Sequence, residues 1–169
     1  MGSYSWEKDE NVTCIFDKRN SNRYLLKCLW NNSLSTVTFI LCNPSEGNEL
    51  NADFTLRRCV NFSKDWGYGC VIVVNLFSQV TKNPKDLVKP SKQEVEENNK
   101  YITQAVSESK LVVFGWGEIE KAYKTRVNEV KQLVPMHKQF YIKKAANGHY
   151  PRHPSRLPSE LKPIAWNEN

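Results

Sequence analysis

Apolar runs and short polar breaks alternate along the chain, and this alternation predicts most of its secondary structure. Residues 36–45, TVTFILCNPS, form an apolar run that stops abruptly at Asn43 and Pro44. A run that is apolar at consecutive positions is typical of a strand buried on both faces, as inside a parallel sheet. Because Pro44 cannot donate to a strand ladder and its neighbours favour turns, we expect a central strand that presents Asn43 at its carboxyl edge.

The remaining runs predict strands that alternate with helices. Apolar segments at 12–16 and 23–30, joined by a polar turn, predict an N-terminal antiparallel pair. Alternating strands and helices after the central strand imply right-handed βαβ crossovers and a parallel sheet. The fold class is therefore α/β, with a central, mostly parallel four-stranded sheet plus the antiparallel pair, in a single domain over residues 1–169. The later strands are predicted at 70–77, 110–117 and 139–144, and the helices from Asp53 or Thr55 to Gly67 or Gly69, from Ser91 to about Ser109, and from Glu118 to Leu133.

Composition narrows the class of protein. The five cysteines are scattered without a CxxC pair, which favours reduced and mostly buried thiols over a disulfide framework. No apolar stretch approaches membrane-spanning length and the first residues resemble no signal peptide, so we expect a cytoplasmic protein that contacts no membrane. A net charge of +6 makes nucleic acid a plausible partner, although excess lysine also serves solubility, so charge leaves that question open.

Two asparagines at predicted strand ends are the first candidates for chemistry. Asn43 follows the central strand, and Asn75 lies near the end of the next one. A side-chain amide can orient a water or read the edge of a base through its donor and acceptor, although it is not a strong base. Either residue could equally be a turn residue that satisfies its own backbone. If neighbouring strand ends bring the two together, they form a polar pair that turns do not require.

The segment 149–158, HYPRHPSRLP, is dense in groups that contact nucleic acid, including His153 and Arg156. Its prolines stiffen the loop and could hold Leu157 outward, as a wedge that enters a base stack must be held. The alternative is a basic surface loop that has no specific function. His149 and His153 lie four apart, but a proline separates them and no carboxylate or thiol stands at a recognised spacing, so no metal is expected.

The start of the first predicted helix is a candidate phosphate site. Arg57 and Arg58 follow Asp53 there, and helix amides with two arginines could hold a phosphate, although Asp53 could simply cap the helix. No Walker motif, GxSxG, GxGxxG after a strand or HExxH occurs. The enzyme classes that these motifs define are therefore not indicated.

The order of these motifs resembles an uncharacterised family of short bacterial and phage proteins. That family has LNPS, DPTxRR, WGYGxxxVVNLF, WG and RHP. From about residue 23, this chain has CNPS, DFTLRRC, WGYGCVIVVNLF, VVFGWG and RHPSRLP, with Phe54 where the family usually has proline. A more distant similarity is to the uracil-DNA glycosylase superfamily, whose characteristic motifs stand in the same order as LCNPS, VIVVN, VVFGWG and HPSRLP.

The glycosylase resemblance implies a three-layer α/β/α fold with a base pocket at the carboxyl edge of the sheet. It implies that Asn43 positions the attacking water and that His153 stabilises the departing base anion. Ser45 stands where the uracil-specific enzymes have a bulky tyrosine, so a larger or modified base could fit. The candidate substrate-binding residues are then Asn75 for base reading, Phe54 for stacking, Leu157 as the wedge, and Ser45, Arg57, Arg58 and Arg156.

The function that this resemblance implies is that of a DNA glycosylase-like N-glycosidase. Such a hydrolase flips a uracil-like or modified base out of DNA and removes it by water attack. We expect a monomer that needs no metal or organic cofactor and serves DNA repair or phage–host conflict. Two alternatives stay open, namely a non-catalytic binder of nucleic acid or nucleotides and an enzyme that acts on free nucleotides.

Overall fold

The computed structural model describes residues 3–147 and 150–167, which carry nine strands and three α-helices. The strands are β1 (Tyr4–Ser5), β2 (Asn11–Phe16), β3 (Arg23–Leu29), β4 (Thr36–Leu41), β5 (Asn51–Ala52), β6 (Cys70–Asn75), β7 (Leu111–Phe114), β8 (Gln139–Tyr141) and β9 (Ile164–Ala165). The helices are α1 (Phe54–Asp65), α2 (Lys92–Glu108) and α3 (Lys124–Gln132). Short 3₁₀ turns cover Pro84–Asp86, Gly117–Lys121, Met136–Lys138 and Pro154–Arg156.

Seven strands form one sheet in the order β2-β3-β6-β4-β7-β8-β9. Within it β6, β4, β7 and β8 run parallel, whereas β2 and β3 form an antiparallel pair beside β6 and β9 lies antiparallel to β8. β1 and β5 form a separate two-stranded antiparallel sheet. This arrangement confirms the predicted α/β class, the mostly parallel centre and the N-terminal antiparallel pair. It also places β4 in the middle of the sheet, as its apolar run predicted.

Each face of the sheet supports its own apolar cluster. Phe39 and Ile40 are consecutive in β4, and their side chains enter different clusters because strand side chains alternate between faces. The cluster of Phe39 includes Leu56 of α1, and the cluster of Ile40 includes Ile102 of α2 and Val127 of α3. The helices therefore pack against the sheet through these two clusters.

The two longer helices begin where the sequence predicted. The Oδ1 of Asp53 accepts the backbone N–H of Leu56 at 2.9 Å and caps α1. The Oγ of Ser91 accepts the backbone N–H of Glu94 at 3.1 Å and caps α2. The cap of α1 fixes the position of Phe54, the first residue of that helix.

The prediction of one helix from Glu118 to Leu133 is wrong. The structure has a 3₁₀ turn over Gly117–Lys121 and then begins α3 at Lys124. Between them, Tyr123 has φ −127° and ψ 37°, outside the helical region, and its ring packs edge-on against Phe77 with centroids 4.7 Å apart. This tertiary contact accompanies the interruption of the helix, and the apolar periodicity on either side of it gave no sign of the break.

All five cysteines are free and four of them are buried, as the sequence predicted. Burial raises the pKa of the Cys42 thiol to about 12, so this thiol is protonated at neutral pH. Among the described residues, no helix has the length and apolar character needed to cross a bilayer.

Candidate functional site at the carboxyl edge of the sheet

A cavity of about 390 Å³ lies at the carboxyl edge of the sheet, where β4, β6 and β7 end. In open α/β sheets ligands bind at this edge, and the volume falls within the roughly 300–1,000 Å³ typical of small-molecule sites. Asn43, Asn75 and His153, which are far apart along the chain, all line this cavity. We call it the edge cavity; its lining consists of Arg23, residues 41–46 and 53–56, Asn75, Thr81, Lys82, Pro84, residues 116–119 and His153.

Asn75 contributes a buried side-chain amide to the edge cavity. The residue is 1% exposed, and neither its Nδ2 nor its Oδ1 hydrogen-bonds to a described residue. As the last residue of β6 it pairs with Leu41, and the Nδ2 of Asn98 donates to its carbonyl oxygen at 2.9 Å. The backbone is thus fixed while the amide is unsatisfied, at a cost of about 1–3 kcal/mol for each buried polar group. Such an amide at a cavity wall can pair with a ligand.

Asn43 lies two residues beyond β4, and the loop after β6 orients its amide. Its Nδ2 donates to the carbonyl oxygen of Thr81 at 2.8 Å and to that of Pro44 at 3.1 Å. The bond to Pro44 is a local contact of the kind that a turn residue makes, whereas the bond to Thr81 spans 38 positions of the chain. Because both bonds engage the nitrogen, the acceptor Oδ1 is the group that Asn43 can offer to a ligand.

His153 turns one ring nitrogen towards its own loop. Its Nδ1 accepts the backbone N–H of Ser155 at 3.3 Å and lies 2.8 Å from the Oγ of Ser155. Burial lowers the pKa of His153 to about 4, and the Asp53 carboxylate opposes this effect only in part. The ring is therefore neutral at physiological pH, and because Nδ1 accepts, its proton is assigned to Nε2. His153 thus offers a neutral Nε2–H donor.

We expect the imidazole of His153 to stay neutral well below the usual histidine pKa of 6.5 and to titrate near pH 4. Since the folded-state pKa is lowered, the neutral ring contributes stability that is complete above pH 6.5 and is lost as the pH falls towards 4. Long-range ¹H–¹⁵N NMR at neutral pH should show Nε2 protonated and Nδ1 unprotonated. The opposite tautomer, or a doubly protonated ring at neutral pH, would contradict this assignment.

Arg23 and Asp53 are charged residues of the lining that were not proposed as site residues from the sequence. Arg23 is 3% exposed, and its Nη1 donates to the carbonyl oxygen of Gly47 at 3.0 Å. Burial lowers the pKa of Arg23, and the nearby carboxylate of Asp53 opposes this in part. Asp53, considered only as a cap, also accepts the backbone N–H of Glu46 at 3.4 Å. One signal in the sequence could have identified Arg23. It is a charged residue at the start of an apolar strand, and a charge buried in such a strand needs a compensating partner.

Phe54 and Ser45 also line the edge cavity. Phe54 is half-buried, and the capped start of α1 holds it at the cavity wall. Nearby, the Oε1 of Glu46 and the Nζ of Lys82 form an ion pair at 2.7 Å, with both side chains largely exposed. An exposed pair of this kind contributes little to stability, so it costs little to separate when a ligand enters.

Leu157 does not have the outward side chain predicted from the sequence. It is 3% exposed and packs into the apolar cluster that contains Leu56 and Phe62 of α1. Its carbonyl oxygen accepts a hydrogen bond from the guanidinium of Arg58, which fastens this segment to α1. The prolines predicted a stiff loop, but nothing in their pattern shows which way the loop faces.

The arginines predicted to contact the substrate lie outside the edge cavity. Arg57 forms a two-pronged ion pair with Glu10, in which Nη1 and Oε1 are 2.8 Å apart. Arg58 lies over the ring of Phe62, with its guanidinium carbon 4.7 Å from the ring centroid. Arg156 is exposed in the 3₁₀ turn that follows His153. Contacts within the chain thus occupy Arg57 and Arg58, and the contact predicted for Arg156 stays a prediction.

The polar groups of the edge cavity suit hydrogen bonding to an organic ligand. They are amides, an imidazole, a guanidinium and carboxylates, together with exposed charges at the rim. Within residues 3–147 and 150–167, no group of three or more His, Cys, Asp or Glu side chains is placed to hold a metal ion. His149, whose spacing from His153 raised the question of a metal pair, lies outside the described residues.

The fold and the edge cavity define an α/β protein with a ligand-sized cavity, lined by both apolar and polar side chains, at the carboxyl edge of a mostly parallel sheet. The chain belongs to the family described as "Protein of unknown function (DUF1643)", whose family model matches residues 23–155. That span includes Asn43, Asn75 and His153. The family match is consistent with the resemblance to an uncharacterised family that the sequence motifs indicated. No match was found among curated proteins, and none among solved structures.

Proposed function

We propose that the protein is a DNA glycosylase-like N-glycosidase that removes a uracil-like or modified base from DNA. The observation that supports this most is the Asn75 amide, which is buried at the edge cavity with its donor and its acceptor both unpaired among the described residues. Base edges carry adjacent donors and acceptors, which an amide can pair with in two hydrogen bonds. The proposal includes a three-layer α/β/α fold of the uracil-DNA glycosylase type, a cytoplasmic location and a monomeric state.

In this proposal a flipped base occupies the edge cavity. Asn75 reads its edge, and the ring of Phe54 stacks on its face. The small side chain of Ser45 leaves space for a substituent on the base. His153 donates its Nε2–H to a carbonyl oxygen of the base. Each of these residues lines the cavity, so the roles require no residue from elsewhere in the fold.

Asn43 supplies the second half of the proposed chemistry. Its Oδ1 accepts a hydrogen bond from a water and directs the water oxygen to the anomeric carbon of the sugar. A C–O bond forms there as the C–N bond breaks, and the electron pair of the broken bond leaves with the base. The His153 Nε2–H stabilises the base anion, which takes a proton from solvent while the attacking water loses one to solvent. Because His153 is neutral, it acts as a hydrogen-bond donor and not as a charged acid.

The test is abasic-site formation on DNA duplexes that carry uracil, hypoxanthine or modified pyrimidines. We expect base release from at least one of them and a loss of about 100-fold in rate for Asn43→Ala and for His153→Ala, because each removes a group that acts at the reacting atoms. The matched controls Asn61→Ala and His137→Ala change the same residue types at exposed positions and should keep the wild-type rate. No release from any duplex, or equal losses in the controls, would contradict the proposal.

A second candidate is a protein that takes free nucleotides, as an enzyme or as a non-catalytic binder. The burial of Leu157 and the internal pairing of Arg57 favour it, because duplex DNA would need a wedge and phosphate contacts. A competition between a mononucleotide and DNA carrying the same base separates the two candidates. Preference for the mononucleotide would support the second one, and hydrolysis of its N-glycosidic bond would then distinguish an enzyme from a binder.

A further inference from the structure

A second cavity, of about 510 Å³, has no role in the proposed base chemistry. We call it the lysine cleft; its lining consists of Phe77, residues 87–90, Val95, residues 121–126 and Glu129. The loop after β6 and the turn after β7 contribute residues both to this cleft and to the edge cavity, so the two cavities are neighbours. Its walls are partly apolar, because Phe77, Leu87 and Val95 contribute to them.

The described charged side chains of the lysine cleft are mainly positive. Lys89, Lys121 and Lys124 are exposed around it, and Arg126 lies in its wall. The carboxylate among them is that of Glu129, which already pairs with the Nη1 of Arg126 at 3.3 Å. This excess of positive charge attracts an anion.

The first turn of α3 lines the lysine cleft. The helix has nine residues and begins at Lys124, and the side chain of Tyr123 at the N-cap position makes no capping hydrogen bond within the described structure. The first N–H groups of a helix have no acceptor within the helix itself. With the helix dipole, such groups favour a bound anion.

Arg126 lines the same cleft and is almost wholly buried. The residue is 8% exposed, its Nε donates to the carbonyl oxygen of Leu76 at 2.7 Å, and its Nη1 donates to the Oδ1 of Asn99 at 2.8 Å. Its Nη2 is buried and has no partner among the described residues. A guanidinium with one unsatisfied nitrogen can pair with an oxyanion once small side-chain movements expose that nitrogen.

We infer that the lysine cleft binds a phosphate group attached to an apolar or aromatic body, as in a nucleotide. The phosphate accepts hydrogen bonds from the first amides of α3 and from Arg126, while Phe77 and Leu87 contact the attached group. It belongs either to a free nucleotide or to a DNA strand. Leu76, whose carbonyl Arg126 holds, directly follows Asn75, so a strand with its base in the edge cavity passes close to the cleft. The inference does not depend on N-glycosidase activity.

The test is an NMR titration of the full chain with inorganic phosphate, thymidine 5′-monophosphate and an octamer of thymidylate. We expect the amide signals of Lys124, Thr125 and Arg126 to shift with each probe. The double variant Lys121→Glu/Lys124→Glu should bind about tenfold or more weakly, because it reverses two exposed charges beside the phosphate. Arg126→Lys, which keeps the charge but loses the planar donors, should also bind more weakly.

The matched control is Lys18→Glu/Lys110→Glu, which makes the same change in net charge at exposed positions outside the cleft. Tighter binding of the octamer than of the mononucleotide supports the inference with a DNA strand as the source of the phosphate, and equal binding supports it with a free nucleotide. Unchanged α3 signals with all three probes, or an equal loss in the control, overturn it. Because the titration measures no base release, failure of the glycosidase proposal would leave these outcomes unaffected.

Discussion

Replacing Asn75 with leucine should stabilise the protein and, under the proposed function, weaken base recognition in the same variant. The substitution removes two buried polar groups that have no partner in the part of the chain that the structure describes. Leucine keeps the branched shape, and the adjacent cavity can take up its extra volume, so we expect the free energy of unfolding to rise by about 1–3 kcal/mol. Loss of the paired donor and acceptor should lower base release, or base affinity, by about 100-fold. Urea unfolding and the abasic-site assay measure the two effects separately.

The control for this variant is Asn98→Leu. The Nδ2 of Asn98 donates to the carbonyl oxygens of Asn75 and Leu76 at 2.9 and 3.3 Å, so its removal should destabilise the fold by about 1–3 kcal/mol. Opposite signs for the two variants would show that one buried amide supports the fold and the other is kept for a ligand. An equal loss of stability in both would remove the main support for the proposed function.

The position of the site was predictable because it depends on strand direction. Consecutive strands of βαβ units are parallel, so the turns that follow β4 and β6 must lie at the same edge of the sheet. Asn43 and Asn75 stand at those two ends, and the sequence therefore placed them together without knowledge of any contact. The helix caps at Asp53 and Ser91 were predictable for a similar reason, since each cap is a local contact between residues three apart.

The unpredicted features depend on contacts between residues distant along the chain. The pair between Arg57 and Glu10 joins residues 47 positions apart, so no local pattern distinguishes Arg57 from an available phosphate ligand. The inward packing of Leu157 depends on α1, which lies about a hundred residues earlier. In the sequence, Arg23 resembles an ordinary first residue of a strand. Its burial depends on the loop around Gly47, whose carbonyl oxygen accepts a hydrogen bond from the guanidinium.

Glu10 lies at the centre of the contacts that hold α1 to the N-terminal segment. Its carboxylate is buried. The Oε1 accepts a hydrogen bond from the Nη1 of Arg57 at 2.8 Å, and the Oε2 accepts one from the Nζ of Lys64, also at 2.8 Å. α1 also carries Phe54 at the wall of the edge cavity. Glu10, Arg57 and Lys64 therefore contribute to the position of a candidate substrate contact, although none of the three lines the cavity.

Glu10→Ala should lower the free energy of unfolding by about 3–5 kcal/mol, because it leaves the partly buried charge of Arg57 without its partner. Urea or thermal unfolding measures the change. The matched control is Glu108→Ala, which removes a carboxylate 3.5 Å from the Nζ of Lys27 in a pair that is 39% exposed on both sides. Exposed pairs contribute little, so that control should cost less than about 1 kcal/mol. Similar losses in both variants would contradict the importance assigned to burial.

The pH dependence of stability isolates the ionic part of the Glu10 contribution. Burial by itself would raise the pKa of Glu10, but the hydrogen bonds from Arg57 and Lys64 outweigh it and hold the pKa at about 2. Because this lies below the ordinary value of 4.5, the carboxylate contributes stability, about 3 kcal/mol, that is complete above pH 4.5 and is lost as the pH falls towards 2. The difference in unfolding free energy between the wild type and Glu10→Gln should therefore be constant above pH 4.5 and narrow below it. A difference that stays constant through the acid range would show that shape and packing, and not charge, make Glu10 important to α1.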